Sequence, residues 1–324
     1  MYNLVYMAKP IYGGWVTYTA HLSLKNDYPI HKIGKRTEKN LRDYGYNTKY
    51  HNLKIEDLIK KDNLMITALD KHYYEYLQYF PKNTILVIHD PTELKNKSNP
   101  LIKDGLINKF KIITIRQTVK DYLMKTYNID SQFLTHPFYQ YEKNCDSMNN
   151  YAVSISRIDF DKNIDIILRC NNLIEYDDKC VKIFGKENRL YVHHKLKDLH
   201  FHDYWYGSYP KDLPMTYTIA GVERDILKDC KFMVDLSTIK DDGGGTQYTF
   251  LEAIYHDCAL ILHKEWVEQG NLFINGHNCY VVGYTEKPEE EIATIINNGI
   301  DDKYNEIVKN SKNILSNHVK DKWF

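Results

Sequence analysis

The chain has 324 residues, with 43 basic and 43 acidic side chains for a formal net charge of zero, and 43% of its residues are hydrophobic. That size and balance suit a globular protein of two domains with ample material for a core. A neutral chain carries no global basic footprint for nucleic acid, although a local basic cleft is compatible with zero net charge, so this partner class is neither supported nor excluded.

In chain order, NLVYMA (3–8) reads as a strand and VTYTAHLSLKN (16–26) as a helix. NLMITAL (63–69), TILVIHD (84–90) and KIITI (111–115) read as further strands, separated by the helical patterns KHYYEYLQYF (71–80) and, after the last strand, VKDYLMKTYN (119–128). Strands separated by helices imply crossover connections and a parallel sheet covered on both faces. The polar stretch YEKNCDSMNN (141–150) reads as a linker. The alternation then restarts with YAVSISRI (151–158), NIDIILRCNNLIEY (163–176), CVKIFG (180–185), DYWYGSY (203–209), KFMVDLS (231–237), TFLEAIYHDC (249–258), ALILH (259–263) and a terminal helical run, KPEEEIATIINNGI (287–300). The expected architecture is α/β: two Rossmann-like domains, 1–148 and 149–324, whose parallel sheets face each other across a cleft. That arrangement leaves the last residues free to pack back on the first domain.

Cys145, Cys170, Cys180, Cys230, Cys258 and Cys279 form no C-x-x-C pair, which argues against a zinc ribbon or a disulfide framework. The start MYNLVYMAKPIYGGW is too interrupted for a signal peptide, and no run of about 18 apolar residues suggests a membrane span. The expected location is a reducing cytoplasm. With 28 tyrosines and abundant Lys and Asn, the composition suits an AT-rich gene of viral or low-GC bacterial kind; if viral, the cytoplasm is the host's.

Ligands of open parallel sheets sit beyond the carboxyl ends of the strands, so four strand-to-helix loops are candidates. In KPIYGGW (9–15), Gly13 and Gly14 permit close backbone approach ahead of a helix N-terminus; the glycine pattern is not that of a dinucleotide site, and an ordinary βα turn is the plain alternative. In IHDPTE (88–93), His89 and Asp90 can hydrogen-bond or orient a hydroxyl, while Asp before Pro also simply opens a turn. In SISRIDFDKN (154–163), Arg157 and Lys162 can neutralise a diphosphate, the first through its planar fork and the second as a mobile point charge. In DDGGGTQYTFLEAI, Gly243 to Gly245 lead into Thr246, Gln247, Tyr248 and Thr249 at a helix start, where N–H groups and the helix dipole favour phosphate. Glu252 lies about one turn further on, placed to accept bonds from sugar hydroxyls rather than to meet phosphate. No G-K-[ST] follows the glycines, so the loop is not that of an ATPase. His193, His194, His200, His202 and Asp203 sit in a polar connection that reads as solvated rather than metal-ligating. The stripe of Tyr73, Tyr76, Leu77 and Phe80 has helical spacing and reads as core-facing.

Taken together these loops resemble the GT-B retaining nucleotide-sugar glycosyltransferases. The likeness runs through Gly13-Gly14, His89-Asp90, the S-R…K run from Ser156 through Arg157 to Lys162, KIFG (182–185), YGSYP (206–210) and LEAIYHDCALI (251–261). It implies that Arg157 and Lys162 bind the donor diphosphate, that Thr246 to Thr249 with Gly244, Gly245, Gly13 and Gly14 line the donor, that Glu252 holds the ribose, that Tyr209 contacts the base and that His89 and Asp90 are the catalytic pair. Many members carry an acid eight residues before the second Glu, and here that position is Gly244; the loop backbone, Asp241 or Asp242 are the alternatives for its sugar contact. A narrower resemblance is to phage DNA α-glucosyltransferases, through the start MYNLVYMAKPIYGGWVT, IHDPTE and QYTFLE. It implies UDP-glucose as co-substrate, no metal or other cofactor, and a hydroxymethylated pyrimidine in DNA as acceptor, with KNKSNPLIKDGLINKFK (95–111) as a basic stretch for phosphates. A surface or capsid glycan is the alternative acceptor. A non-catalytic nucleotide-binding module is the alternative class.

Overall fold

The computed structural model describes residues 1–9, 13–33, 48–90, 100–208, 213–238 and 245–319. Tyr209, Asp241 to Gly244, residues 10–12 of the Gly13-Gly14 loop, residues 91–93 of the IHDPTE loop and residues 95–99 of the basic stretch fall outside them. The chain divides into two compact units, Met1–Gln140 with His318–Phe324, and Tyr141–Asn317.

The first unit is built on seven strands: β1 (Asn3–Met7), β2 (Ile30–Ile33), β3 (Tyr50–Leu53), β4 (Leu64–Leu69), β5 (Ile85–Ile88), β6 (Lys111–Thr114) and β7 (Gln132–Phe133). They lie in the order β3-β2-β1-β4-β5-β6-β7, every pairing parallel. All six residues of β4 are buried, as a central parallel strand covered on both faces requires. The stretch 71–80 winds as a 3-10 helix, Lys71–Tyr79, started by Asp70, whose side chain accepts from the His72 N–H. Its threefold period sets Tyr73 with Tyr76 and Leu77 with Phe80, and all four pack against the core of this unit.

The second unit holds β8 (Asp146–Ser147), β9 (Ala152–Ile155), β10 (Val181–Phe184), β11 (Thr216–Ile219), β12 (Val222–Asp225), β13 (Phe232–Asp235), β14 (Ala259–His263) and β15 (Tyr280–Val282). Five form a parallel sheet, β10-β9-β13-β14-β15, and three form a small mixed sheet, β11-β12-β8. Apolar residues of β9, β10, β13, β14 and β15 meet the helices Ile164–Asn171 and Pro288–Asn298 in one core. The chain order reverses between β1 and β4 in one unit and between β9 and β13 in the other, and such switch points are where open α/β sheets take ligands. The fold is therefore α/β with two Rossmann-like domains.

Two segments depart from the expected reading. The polar stretch 141–150 is packed rather than a bare linker: β8 pairs with β12, Lys143 Nζ donates to the Tyr255 carbonyl at 2.6 Å, and Tyr255 donates its hydroxyl hydrogen to the Tyr141 carbonyl at 2.7 Å. A further helix, Asp302–Ser316, follows the run at 287–300; Asp301 caps it by accepting from the Tyr304 N–H. None of the six cysteines is in a disulfide. Among the described residues no helix is long and apolar enough to cross a membrane.

Candidate functional site

In the second unit the β9 and β13 exits lie side by side at the switch point and are stitched together. The Thr238 N–H donates to the Asp161 carbonyl at 3.0 Å, and Asn163 Nδ2 donates to the Leu236 carbonyl at 2.9 Å. Arg157 and Lys162 both belong to this β9 loop, yet they differ in character. The Arg157 side chain is 63% exposed and pairs with Asp159 at 3.0 Å and Asp161 at 3.3 Å. Lys162 is only 6% exposed, and its Nζ donates to Ser237 Oγ at 2.5 Å. In place of the mobile point charge expected from sequence, Lys162 is a buried cation held by one hydroxyl, beside an exposed Arg157 paired with two carboxylates.

The helix Tyr248–Tyr255 is the next element in the chain after β13. Gln247 occupies its N-cap in an extended conformation with no side-chain cap hydrogen bond, and no acid sits in its first turn. A helix start of this kind leaves N–H groups and positive potential for an anion. Gln247 Nε2 and Thr249 Oγ1 are enclosed without a hydrogen-bond partner among the described residues, and enclosed polar atoms of this sort call for one. Thr246 is buried and Glu252 is 2% exposed. Burial first, and then the charge of Glu252, push the Tyr141 hydroxyl well above its ordinary range. At the far end of the helix, His256 Nε2 lies 3.1 Å from the Tyr141 hydroxyl and 3.6 Å from Asp225 Oδ2. Burial holds His256 down to about 3 and Asp225 up to about 6.

β10 leaves the sheet beside β9, and Gly185 makes that closeness feasible. Its φ of 151° is rarely adopted by other residues, and a Cβ there would overlap the backbone carbonyl of Ser156. Gly185 N–H donates to the Gly207 carbonyl at 2.8 Å, Trp205 Nε1 donates to the Gly185 carbonyl at 2.9 Å, and Phe184 stacks on Tyr206. The KIFG segment, Trp205, Tyr206 and Gly207 thus form one surface next to the Arg157 loop.

In the first unit, the β1, β4 and β5 exits converge. Gly13, with φ 99°, precedes the helix Gly14–Asn26, whose first turn carries no acid. Tyr18 of that helix meets the His89 ring edge-to-face at 4.9 Å. Asp70 accepts from the Lys9 N–H at 2.6 Å. His89 is buried, and its Nε2 bonds the Thr67 carbonyl at 2.7 Å. A carbonyl only accepts, so Nε2 carries the hydrogen and Nδ1 the lone pair. Burial pulls His89 down to about 4, Arg116 acts in the same direction, and the Thr67 bond and Asp90 oppose it. The ring is neutral near pH 7, able to orient a hydroxyl and weak as a general base.

The structure therefore groups Arg157, Lys162, Gly245 to Thr249 and Glu252 in one unit, and Gly13, Gly14, His89 and Asp90 in the other. The sequence reading missed Asp235 and Ser237, which belong to the β13 exit. Their signal was V-D-L-S at the carboxyl end of an apolar strand. His193, His194, His200 and His202 are exposed, and among the described residues no cluster of His, Cys, Asp and Glu suits a metal.

Two Rossmann-like α/β units in succession, each with its polar residues at a switch point, make this the GT-B fold. No protein-family model and no curated protein matches the sequence, but solved structures match the fold over its full length. HepE of Anabaena in complex with UDP and glucose superposes with a TM-score of 0.67 at 15% identity, over 99% of this chain and 96% of that one. An alpha-glucosyltransferase in complex with UDP and a 13-mer DNA containing a HMU base gives 0.66 at 12% identity, over 100% and 96%. A glycosyltransferase from Rickettsia africae gives 0.64 at 12%, over 98% and 94%.

Proposed function

We propose that this chain is a retaining glycosyltransferase that moves a hexose, glucose from UDP-glucose, to an acceptor hydroxyl, with a hydroxymethylated pyrimidine in DNA as the favoured acceptor. The observation that supports the reading is the Lys162 to Ser237 bond across the β9–β13 switch point, in a chain that runs on from β13 to a helix start with no acid in its first turn. Two cations and a helix N-terminus stabilise the charge that develops on a leaving diphosphate, which is the main barrier-lowering device in a reaction of this class. The bond from the sugar C1 to the phosphate oxygen breaks, the acceptor oxygen bonds C1 from the same face, and the acceptor's proton passes to the departing phosphate. Glu252 receives the ribose hydroxyls, and the surface formed by KIFG with Tyr206 and Gly207 receives the base. His89, neutral and with its lone pair on Nδ1, orients a hydroxyl with Asp90 rather than removing its proton. No metal takes part in this reading. UDP in the HepE and alpha-glucosyltransferase structures supports the nucleotide, and the DNA in the latter supports the acceptor.

The test is transfer of label from UDP-glucose to hydroxymethylated duplex, compared with simple saccharides and with hydrolysis. Transfer to duplex alone supports the DNA reading, and transfer to saccharides alone assigns a glycan acceptor. Tight UDP binding with neither transfer nor hydrolysis assigns a binding module. Arg157→Ala should cost about 10- to 100-fold in kcat/KM, the range for one charged hydrogen-bonding partner, and Glu252→Ala should raise KM for the donor. Normal turnover by both variants would remove the donor-site assignment.

A further inference from the structure

We propose that Asp235 and Ser237 are positioning residues for group transfer, holding the Lys162 ammonium where the charge of the leaving diphosphate develops; this rests on the donor-site reading above. The three groups form a chain across the switch point: Lys162 Nζ to Ser237 Oγ at 2.5 Å, and Ser237 Oγ to Asp235 Oδ1. Its polarity follows from chemistry. An ammonium only donates and a carboxylate only accepts, so the Ser237 hydroxyl accepts from Lys162 and donates to Asp235. The Ser237 N–H also donates to Asp235 Oδ1 at 2.9 Å, which fixes the carboxylate against the chain that follows it.

All three residues are nearly or fully excluded from solvent, at 6%, 0% and 3% exposure for Lys162, Ser237 and Asp235. Asp235 Oδ2 has no hydrogen-bond partner among the described residues. A carboxylate kept in such a place is costly unless a nearby cation offsets it, and Lys162, reached through one hydroxyl, is that cation. Held by a single bond among the described residues, the ammonium keeps two donors for a ligand. A lysine left to itself would sample many rotamers before meeting a phosphate; one fixed beforehand does not lose that freedom on binding. Arg157, exposed and paired within its own loop, has no such support. The loop ties from Thr238 to Asp161 and from Asn163 to Leu236 run through backbone carbonyls, so removing the Ser237 hydroxyl leaves them in place.

The experiment compares Ser237→Ala, Ser237→Thr, Asp235→Asn, Lys162→Ala and the Lys162→Ala/Ser237→Ala double variant of the full chain. UDP affinity is measured by calorimetry, UDP-glucose turnover by kinetics and folding by melting temperature. Ser237→Ala and Asp235→Asn should each weaken UDP binding about tenfold, Ser237→Thr should restore it, and the double variant should be no weaker than Lys162→Ala, because a residue acting through another is not additive with it. Wild-type UDP affinity in Ser237→Ala, or a loss that adds to that of Lys162→Ala, overturns the inference and leaves the donor site standing. Wild-type UDP affinity in Lys162→Ala removes the donor-site reading itself and this inference with it. Should Ser237→Ala fail to fold, the isosteric Asp235→Asn decides: it loses UDP affinity, or the inference is wrong.

Discussion

Acid should unfold the first unit through its buried histidines. His21 is fully buried and accepts from the Tyr139 N–H at 3.0 Å; burial takes it from 6.5 to about 3, and His89 from 6.5 to about 4. Both are neutral when folded and become charged when the chain unfolds, so between these values the unfolded state binds more protons. Stability is therefore complete above about pH 6.5 and is lost as pH falls toward the folded values. From the linkage relation each histidine costs about 2 kcal/mol at pH 5, so the pair costs about 4 kcal/mol, a large fraction of an ordinary domain's stability of roughly 5–15 kcal/mol. His136 shifts in the same direction and adds to the loss. In the second unit His256 loses about 2 kcal/mol at pH 5, whereas Asp225, raised to about 6 and protonated more readily when folded, returns about 1 kcal/mol. Hydrogen exchange followed by mass spectrometry from pH 7 to pH 4.5, corrected for the intrinsic exchange rate, should show protection lost first in peptides of Gly14–Asn26 and β5, and later in those of Tyr248–Tyr255. His89→Gln should remove about 2 kcal/mol of the first unit's loss at pH 5, with His31, also lowered to about 4, and His136 carrying part of the remainder. Protection that stays flat to pH 4.5, or is lost first in the second unit, would refute the reasoning.

Two further outcomes are expected. Gly185→Ala should lower stability by about 2–4 kcal/mol, since its φ is unsuited to alanine and the methyl group meets the Ser156 carbonyl; urea midpoints at constant slope measure this, and UDP affinity should fall with them. EDTA should leave UDP-glucose turnover unchanged, because Lys162, Arg157 and the helix start supply the positive charge; loss of activity restored by a divalent cation would show that charge to be insufficient.

The sheet strands legible in the sequence are those whose apolar runs are long enough to be buried on both faces, such as β4 and β13. β2 and β3 are not, because IHKI and YHNL carry polar residues that only neighbouring strands justify. β8 has two polar residues and exists through its pairing with β12. The Asp302–Ser316 helix carried a readable Asp cap and buried residues at helical spacing, Tyr304, Ile307, Ser311 and Ile314, but so many polar residues between them dilute the pattern. Arg157, Lys162 and Glu252 were readable as chemistry in loops. The Lys162 to Ser237 contact was not, because it joins residues 75 apart in sequence that only the β9–β13 adjacency brings together.

The packing of residues 141–148 bears on how this molecule tolerates cutting and insertion. Lys143 holds the last carbonyl of the Tyr248–Tyr255 helix, that of Tyr255, and Tyr141 touches both Tyr255 and His256. A protease nick, an inserted tag or a new terminus placed in this polar stretch would release the rear of the helix whose front faces the candidate diphosphate site. Damage that looks remote from the chemistry would then be felt as weakened nucleotide affinity.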